Sequence, residues 1–330
     1  MQRLRRTRRQ PSTGHLTPSC GRPWLPKGFE FLSGLPERLR RRRLILTLQA
    51  WFDDSGTKGT GRWMTMSGLF GEAELLASIA HEWDKHLRAR YPGAIRYFKM
   101  DEACQLDGEF KHWKPENRDI KVLQMSKIID RKDLVEISAR VDLKAFEKIA
   151  PSWSHIKPQR GDAQRHHSMG SPYLLLFQYV LVTAITEAVA RGVTSPIEIA
   201  FDEQSIFSPT ILAGYPGLRE DERAFPERFA VMPAWPGFRN DQDFVILQAA
   251  DMLAGELRLI AEDYEDNPLF IGKLCPNLTV SRHFKDIGDA DLKDLHEHLV
   301  ATLEREEREM LEREEREAQA SHKVDGCEGD

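Results

Sequence analysis

Two apolar runs near residue 50 flank a short polar segment. They are LILTLQAWFD, at 44–53, and RWMTMSGLF, at 62–70, and the segment DSGTKGTG connects them. Strand-like apolar runs joined by a glycine-containing loop are typical of a β-hairpin. The pattern therefore predicts two antiparallel strands, and we expect ordered structure to begin at Leu44.

Helical and strand periods alternate beyond this hairpin. Apolar residues recur at helical spacing in 72–91 and again in 116–132. Between them, IRYFKM at 95–100 has the composition of a short strand. LVEISARVDL, at 134–143, alternates between apolar and polar residues and predicts a further strand.

The second half of the chain shows a similar succession of elements. A continuous apolar run at 173–191 predicts a buried helix, and PIEIAFDEQ at 196–204 predicts a strand that ends in acids. The stretch 208–227 is rich in Pro and Gly and is expected to be irregular. RFAVMPAW at 228–235 predicts a strand, and FVILQAADMLAGELRLIAEDY at 244–264 predicts a helix.

The apolar helix raises the question of a membrane. It contains Gln178 and Glu187 and is too short and too polar for a confident span, so we expect no membrane association. The cysteines lie far apart and form no C-x-x-C pair, which predicts neither a disulfide framework nor a thiolate zinc site. We therefore expect a cytoplasmic protein. The cysteines are Cys20, Cys104, Cys275 and Cys327.

Both ends of the chain differ in composition from its middle. Residues 1–43 are rich in Arg and Pro and predict a disordered basic leader; a transit peptide, a phosphate-binding arm or an overextended start site are the alternatives. Residues 291–330 contain a near-repeat of LEREERE and predict a solvated charged helix with a flexible tail. The alternative for this helix is a protein partner bound as a coil, through an apolar seam of Leu299, Leu303, Met310 and Leu311.

The overall charge limits how a polyanion would bind. In 330 residues, 47 Lys and Arg stand against 52 Asp and Glu, and the formal net charge is −5. Nucleic acid would therefore need local basic groups. Such groups occur in IRYFK and KPQRGDAQRHH, where a solvated loop is the competing interpretation. The candidate nucleic-acid-binding residues are Lys99, Lys157, Arg160, Arg165, His166 and His167.

Three acids lie at the end of an apolar element or inside one. Alternation along the first strand places Asp53 on the face opposite Phe52, and the same alternation places Asp202 opposite Phe201. Asp251 lies in a predicted helix among small residues that would allow it to approach a sheet closely.

The chemistry of these acids depends on whether they converge. Alone, Asp53 before Ser-Gly would be interpreted as a turn residue. A buried Asp is costly unless it is paired or bound to a cation. Three converging carboxylates indicate strong hydrogen-bond partners or a hard divalent cation, for which Mg²⁺ or Mn²⁺ is the economical choice.

The blocks that contain these acids resemble a known family. WFDDSGT, IAFDEQ and LQAADMLAG are similar to the signature blocks of the domain-of-unknown-function family 3800, which is regarded as RNase H-like. The resemblance implies an RNase H-like α/β domain over residues 44–290, with antiparallel first strands, then parallel additions, and flanking helices. Residues 71–133 would be a helical insertion between the second and third strands.

The resemblance also implies roles for single residues. Asp53, Asp202 and Asp251 match the three acidic positions of the family. Asp54 stands where the family usually has Glu, so it is a candidate ligand with a shorter reach, and Glu203 is an adjacent spare. The usual fourth acid has no clear equivalent, because Glu187 lies near the far end of its helix.

The function implied is that of a metal-dependent nuclease. Two Mg²⁺ or Mn²⁺ ions would serve phosphodiester hydrolysis, with Asp53 bridging both ions and Asp202 and Asp251 on either side. The substrate would be DNA or RNA. The alternative is a non-catalytic nucleic-acid-binding or regulatory module that keeps the RNase H-like fold.

Other phosphate chemistries lack their motifs. The acids of FDDSGT are adjacent, whereas a haloacid-type phosphatase needs Asp-x-Asp spacing. The sequence contains neither GxxxxGK[ST] nor GxSxG. The glycines of SGTKGTG lie between two predicted strands, so they do not form a dinucleotide fingerprint.

Overall fold

A six-stranded mixed sheet with helices on both faces forms the centre of the molecule. The structure, a computed structural model, describes residues 48–56, 61–153, 171–262 and 281–297, together with single positions in 300–316. The α/β class with a mixed sheet, which the sequence predicts, is confirmed.

The strands follow the order β5-β4-β1-β2-β3-β6 across the sheet. The pairs β1/β2 and β2/β3 are antiparallel, whereas β4 is parallel to β1, β5 to β4, and β6 to β3. The predicted hairpin is therefore confirmed. The strands are β1 (Leu48–Ser55), β2 (Trp63–Glu72), β3 (Val135–Asp142), β4 (Glu198–Asp202), β5 (Gly237–Arg239) and β6 (Ser281–Ile287).

Helices connect most of the strands. Within the described residues, three of them lie between β2 and β3, two between β3 and β4, two between β4 and β5, and one between β5 and β6. Short 3-10 turns add to the first and third groups. The helices are α1 (Ala73–Leu87), α2 (Met100–Gln105), α3 (Pro115–Ser126), α4 (Leu143–Trp153), α5 (Pro172–Ala190), α6 (Phe207–Asp221), α7 (Pro226–Val231) and α8 (Ile246–Ala261).

Both faces of the central strands are buried. Along β1, Phe52 belongs to the core on the α5 side, whereas Trp51 belongs to the core that α1 and α8 cover. This follows from the alternation of side chains along a strand. Asp53 shares the face of Trp51, so it points into the second core and not into solvent.

The long apolar helix α5 packs against β2 and β3. In length and composition it would also qualify as a membrane span, but half of its apolar window is buried inside the molecule. Core helices of globular proteins have the same composition. The prediction that residues 173–191 form a buried helix is confirmed.

Two predicted strands are wrong. Residues 95–99 have no regular structure, because the amides of Phe98 and Met100 donate to side chains of α8 and not to a neighbouring strand. In 228–235, the chain is helical up to Val231, in agreement with Pro226 in the first turn of α7. The strand of this region is β5, further along the chain.

The expected irregular stretch at 208–227 is also wrong, because most of it is helix α6. This helix contains Pro216, yet Ile211 and Tyr215 on one of its faces are buried in the core next to α5. Packing of an apolar face can override a low helix propensity. Strand β6 had no sequence prediction, since it exposes most of its residues.

The ends of the chain lie partly outside the described residues. Residues 1–47 lie outside the described part, and so does the predicted leader at 1–43. Residues 289–297 are helical, and so are the positions described in 300–316. The rest of the predicted charged tail lies outside the described residues.

Candidate functional site

Three carboxylates meet at one edge of the sheet. Strands β1, β4 and β5 are parallel, so their C-terminal ends point to the same side. Asp53 lies near the end of β1, Asp202 ends β4, and Asp241 is the second residue after β5. In open α/β sheets this edge is the usual place of a binding site.

Helix α8 contributes a fourth carboxylate from above the sheet. It packs against β1 and β2, and its Asp251 is only 8% exposed. A Cβ atom on Gly255 would lie 2.5 Å from the Cγ of Met100, so the helix needs glycine at this position to approach the chain beside it. We refer to Asp53, Asp202, Asp241 and Asp251 as the acid cluster.

The ammonium of Lys99 lies inside the acid cluster. Its Nζ is 3.0 Å from Oδ2 of Asp241, 3.7 Å from Oδ2 of Asp53 and 3.9 Å from Oδ2 of Asp202. The sequence predicts that Lys99 binds nucleic acid from a loop. In the structure, it is instead the central cation of the carboxylates.

Two side chains of α8 fix the backbone on both sides of Lys99. The amide of Phe98 donates to Oε1 of Gln248 at 3.0 Å, and the amide of Met100 donates to Oδ2 of Asp251 at 2.6 Å. Residues three apart on a helix share a face, so both reach the same segment. Gln248 and Asp251 therefore fix the backbone position of Lys99.

Gln248 also forms a hydrogen bond to the loop that contains Asp241. Its Nε2 donates to the carbonyl of Asp241 at 2.9 Å, and its Oε1 accepts the indole N–H of Trp83 at 3.2 Å. Both polar atoms of this fully buried amide therefore have hydrogen-bond partners. One helix thus joins the lysine and one of its carboxylate partners.

Burial and mutual repulsion disfavour the ionised carboxylates. Burial, followed by the charge of Asp251, raises the pKa of Asp53 well above its ordinary value. Burial likewise raises the pKa of Asp202 and that of Asp251 to about 6, although Lys99 lowers both. These shifts are typical of functional sites.

Lys99 keeps its charge in this surrounding. Burial alone would lower its pKa, but the acid cluster, led by Asp251 and Asp53, raises that pKa well above the ordinary value. Even so, Oδ2 of Asp53 and Oδ2 of Asp241 are buried and accept no hydrogen bond from the residues that the structure describes. The ammonium lies at ion-pair distance from both, without the orientation of a hydrogen bond. The site therefore has more negative charge than its own lysine neutralises.

The donor set fits a hard divalent cation. Carboxylate oxygens are the ligands that Mg²⁺ and Mn²⁺ prefer, and the two unpartnered oxygens are the atoms that such an ion would satisfy. Within the described part of the chain, no three acidic, His or Cys side chains form a ready cage around one point. Among these carboxylates, the space between Asp53, Asp202 and Asp241 is taken by the ammonium of Lys99.

Asp54 and Glu203, the two spare acids that the sequence predicts, directly follow Asp53 and Asp202 in the chain. Alternation along β1 turns Asp54 to the α5 face, where, after burial, its charge is the main cause of a raised pKa in Tyr173. Its amide donates to Oδ1 of Asp53 at 2.7 Å. Glu203 is exposed.

The sequence analysis missed the fourth acid. Glu187, which it considered, accepts hydrogen bonds from Arg191 and His283 instead. A signal for Asp241 was present, since NDQD follows GFR directly, but β5 has only three residues and the strand was predicted elsewhere. The basic candidates Lys157, Arg160, Arg165, His166 and His167 lie outside the described residues.

Comparisons with known proteins add no relative: no family model, no curated protein and no solved structure matches the chain. The resemblance to the domain-of-unknown-function family 3800 therefore stays a prediction from the motifs. A functional assignment has to rest on the geometry of the acid cluster and of Lys99.

Proposed function

We propose that this protein is a nuclease that hydrolyses phosphodiester bonds with Mg²⁺ or Mn²⁺. The observation behind the proposal is the acid cluster: three carboxylates at the C-terminal edge of parallel strands and a fourth from α8, two of them with a buried oxygen that accepts no hydrogen bond from the described residues. Buried acids of like charge are costly, and a bound cation is the economical compensation.

The element order supports the RNase H-like part of the proposal. Three antiparallel strands are followed by helices and then by two strands parallel to β1, with a last helix that packs on the sheet. The helices α1 to α3 form an insertion between β2 and β3. We infer on the same grounds that the chain is a relative of the domain-of-unknown-function family 3800.

The residues of the cluster approach the site from different elements. Asp53, Asp202 and Asp241 present carboxylates from the sheet edge, and Asp251 presents one from α8 while it holds the amide of Met100. A bound divalent ion supplies activation of water and neutralisation of the phosphate. Lys99 adds a fixed positive charge beside the position of that phosphate.

The polyanion must enter from the open side of this edge. Lys99 is 30% exposed at its side chain, so the edge is accessible there. We propose further contacts through Lys157, Arg160 and Arg165 of the segment before α5, with DNA and RNA both as substrate classes. The reaction would take place in the cytoplasm.

A cleavage assay tests the proposal. Purified protein should release fragments from labelled single- and double-stranded DNA and RNA in the presence of Mn²⁺. Asp53→Asn or Asp202→Asn should reduce this release at least about 100-fold, because removal of one group that stabilises the transition state typically lowers the rate by a factor of about 10²–10³. The matched control is Asp243→Asn, an exposed acid in the loop after β5. Cleavage that survives Asp53→Asn would exclude the assignment.

One observation favours a second candidate, a binding module without catalysis. Lys99 already neutralises part of the acid cluster, as an internal cation does in a site that needs no metal. Titration calorimetry with Mn²⁺ separates the two functions. The nuclease binds the ion with measurable heat, and the heat disappears in Asp251→Asn, whereas the module shows no heat in either protein.

A further inference from the structure

Lys99 lies where a shared metal ion would be expected. Its Nζ is 3.0–3.9 Å from one oxygen each of Asp53, Asp202 and Asp241, so these acids surround the ammonium. In two-metal sites the ions lie about 3.5–4 Å apart and share a carboxylate. From the sequence, we expect Asp53 to bridge the two ions. In the structure, the ammonium of Lys99 lies next to Asp53.

The position of Lys99 is set by the fold and not by a metal. The amides of Phe98 and Met100 are both bonded to α8, and Gly255 leaves no space between that helix and Met100. The backbone of Lys99 is therefore held in place by the residues before and after it. Withdrawal of its ammonium would take the nearest positive charge away from the buried, unpartnered oxygens of Asp53 and Asp241.

We propose that the ammonium of Lys99 replaces one of the two divalent ions, so that the acid cluster binds a single Mg²⁺ or Mn²⁺ ion. The inference rests on the proposed function, because it requires that the cluster binds a metal. The carboxylates of the cluster would hold the one ion, and Oδ2 of Asp53 and of Asp241 would face both this ion and the ammonium. Lys99 supplies the second positive charge from the chain itself.

The number of bound ions tests this inference without any substrate. Calorimetric titration of the full chain with Mn²⁺, checked by the electron paramagnetic resonance signal of free Mn²⁺, should give one ion per chain. Lys99→Met removes the charge and retains an unbranched side chain, so it should bind two ions. Lys111→Met, an exposed lysine of the same insertion, should bind one.

A third variant keeps the test valid if Lys99→Met fails to fold, which circular dichroism would show. Lys99→Arg retains the positive charge and should bind one ion. Two ions in the unmodified protein, or one ion in a folded Lys99→Met, would overturn the inference and leave the proposed nuclease intact. No bound ion in the unmodified protein would overturn both.

Discussion

Asp53 shows at the level of one residue how the site conflicts with folding. It is 3% exposed, its Oδ2 has no hydrogen-bond partner, and burial together with Asp251 raises its pKa. The ionised side chain therefore costs stability in the metal-free protein. Sites that need such groups are expected to trade stability for function.

In metal-free buffer, Asp53→Asn should therefore raise the melting temperature by about 2–6 °C, because it removes a charge that the interior disfavours. For a domain of this size, a change of about 1 kcal/mol in unfolding free energy shifts the melting temperature by roughly 2–4 °C. Differential scanning calorimetry in chelator measures this. Mn²⁺ should then stabilise the original protein and not the variant. Asp243→Asn, on the exposed loop, should shift neither value, and a lower melting temperature for Asp53→Asn would contradict the argument.

Three of the four acids could be identified from the sequence, because each follows or interrupts a clear apolar period. Asp241 could not, since the three residues of β5 are too few to show a strand period. The role of Lys99 could not either. It depends on Gln248 and Asp251, which lie about 150 residues further along the chain and meet it only in the tertiary structure.

At the level of elements, α8 determines the geometry of the site. It packs on β1 and β2, provides Asp251, and bonds to the segment before α2. Gly255 allows this packing, since a Cβ there would lie 2.5 Å and 2.8 Å from side-chain atoms of Met100. Gly214 in α6 is the opposite case, as a Cβ there would meet no atom within 4 Å.

The two helical glycines should respond to alanine with opposite signs. Gly214→Ala should stabilise by up to about 1 kcal/mol, the gain in helix propensity. Gly255→Ala should destabilise by about 1–3 kcal/mol despite the same gain, because the added methyl displaces Met100 and with it Lys99. Urea denaturation measures both. Equal effects in the two variants would mean that α8 does not need its close approach.

The elements that the sequence predicts correctly are those with a clear apolar period: the hairpin, α1, α3, β3, α5, β4 and α8. The errors lie where another element decides the conformation. Residues 95–99 look like a strand, yet α8 takes their hydrogen bonds, and α6 forms around Pro216 because its apolar face reaches the core. Such outcomes depend on neighbours that a local pattern does not contain.

At the level of the whole molecule, pH should act on stability in two separate ranges. Asp202 and Asp251 have a pKa of about 6 in the folded protein, above the ordinary value of an aspartate. Between about pH 4 and 6 the folded state therefore binds more protons than the unfolded one, and stability rises as pH falls. Hydrogen bonds from basic side chains lower the pKa of three other acids, so the protein loses their contribution to stability only when a more acidic pH protonates them. These acids are Glu109, Asp142 and Asp291.

The metal-free protein should consequently gain roughly 1–3 kcal/mol in unfolding free energy between pH 7.5 and pH 5, since each pKa unit is about 1.4 kcal/mol and the coupled acids do not add fully. Chemical denaturation at a series of pH values gives this curve. The double variant Asp202→Asn/Asp251→Asn should reduce the slope of this curve, and the rest of the slope would come from Asp53, whose pKa burial also raises. A steady loss of stability from pH 7.5 downwards would be incompatible with the buried acids.

The bond from Met100 to Asp251 joins residues 151 positions apart, and that distance has a kinetic consequence. Contacts of such long range close late and slow the folding of a chain. During synthesis, Asp53 and Lys99 leave the ribosome long before α8 exists, and until α8 docks, the site lacks Asp251 and the two bonds that fix the backbone on both sides of Lys99. The proposed binding of Mn²⁺ should therefore reach full strength only after α8 has docked, and the uptake of Mn²⁺ would report that step.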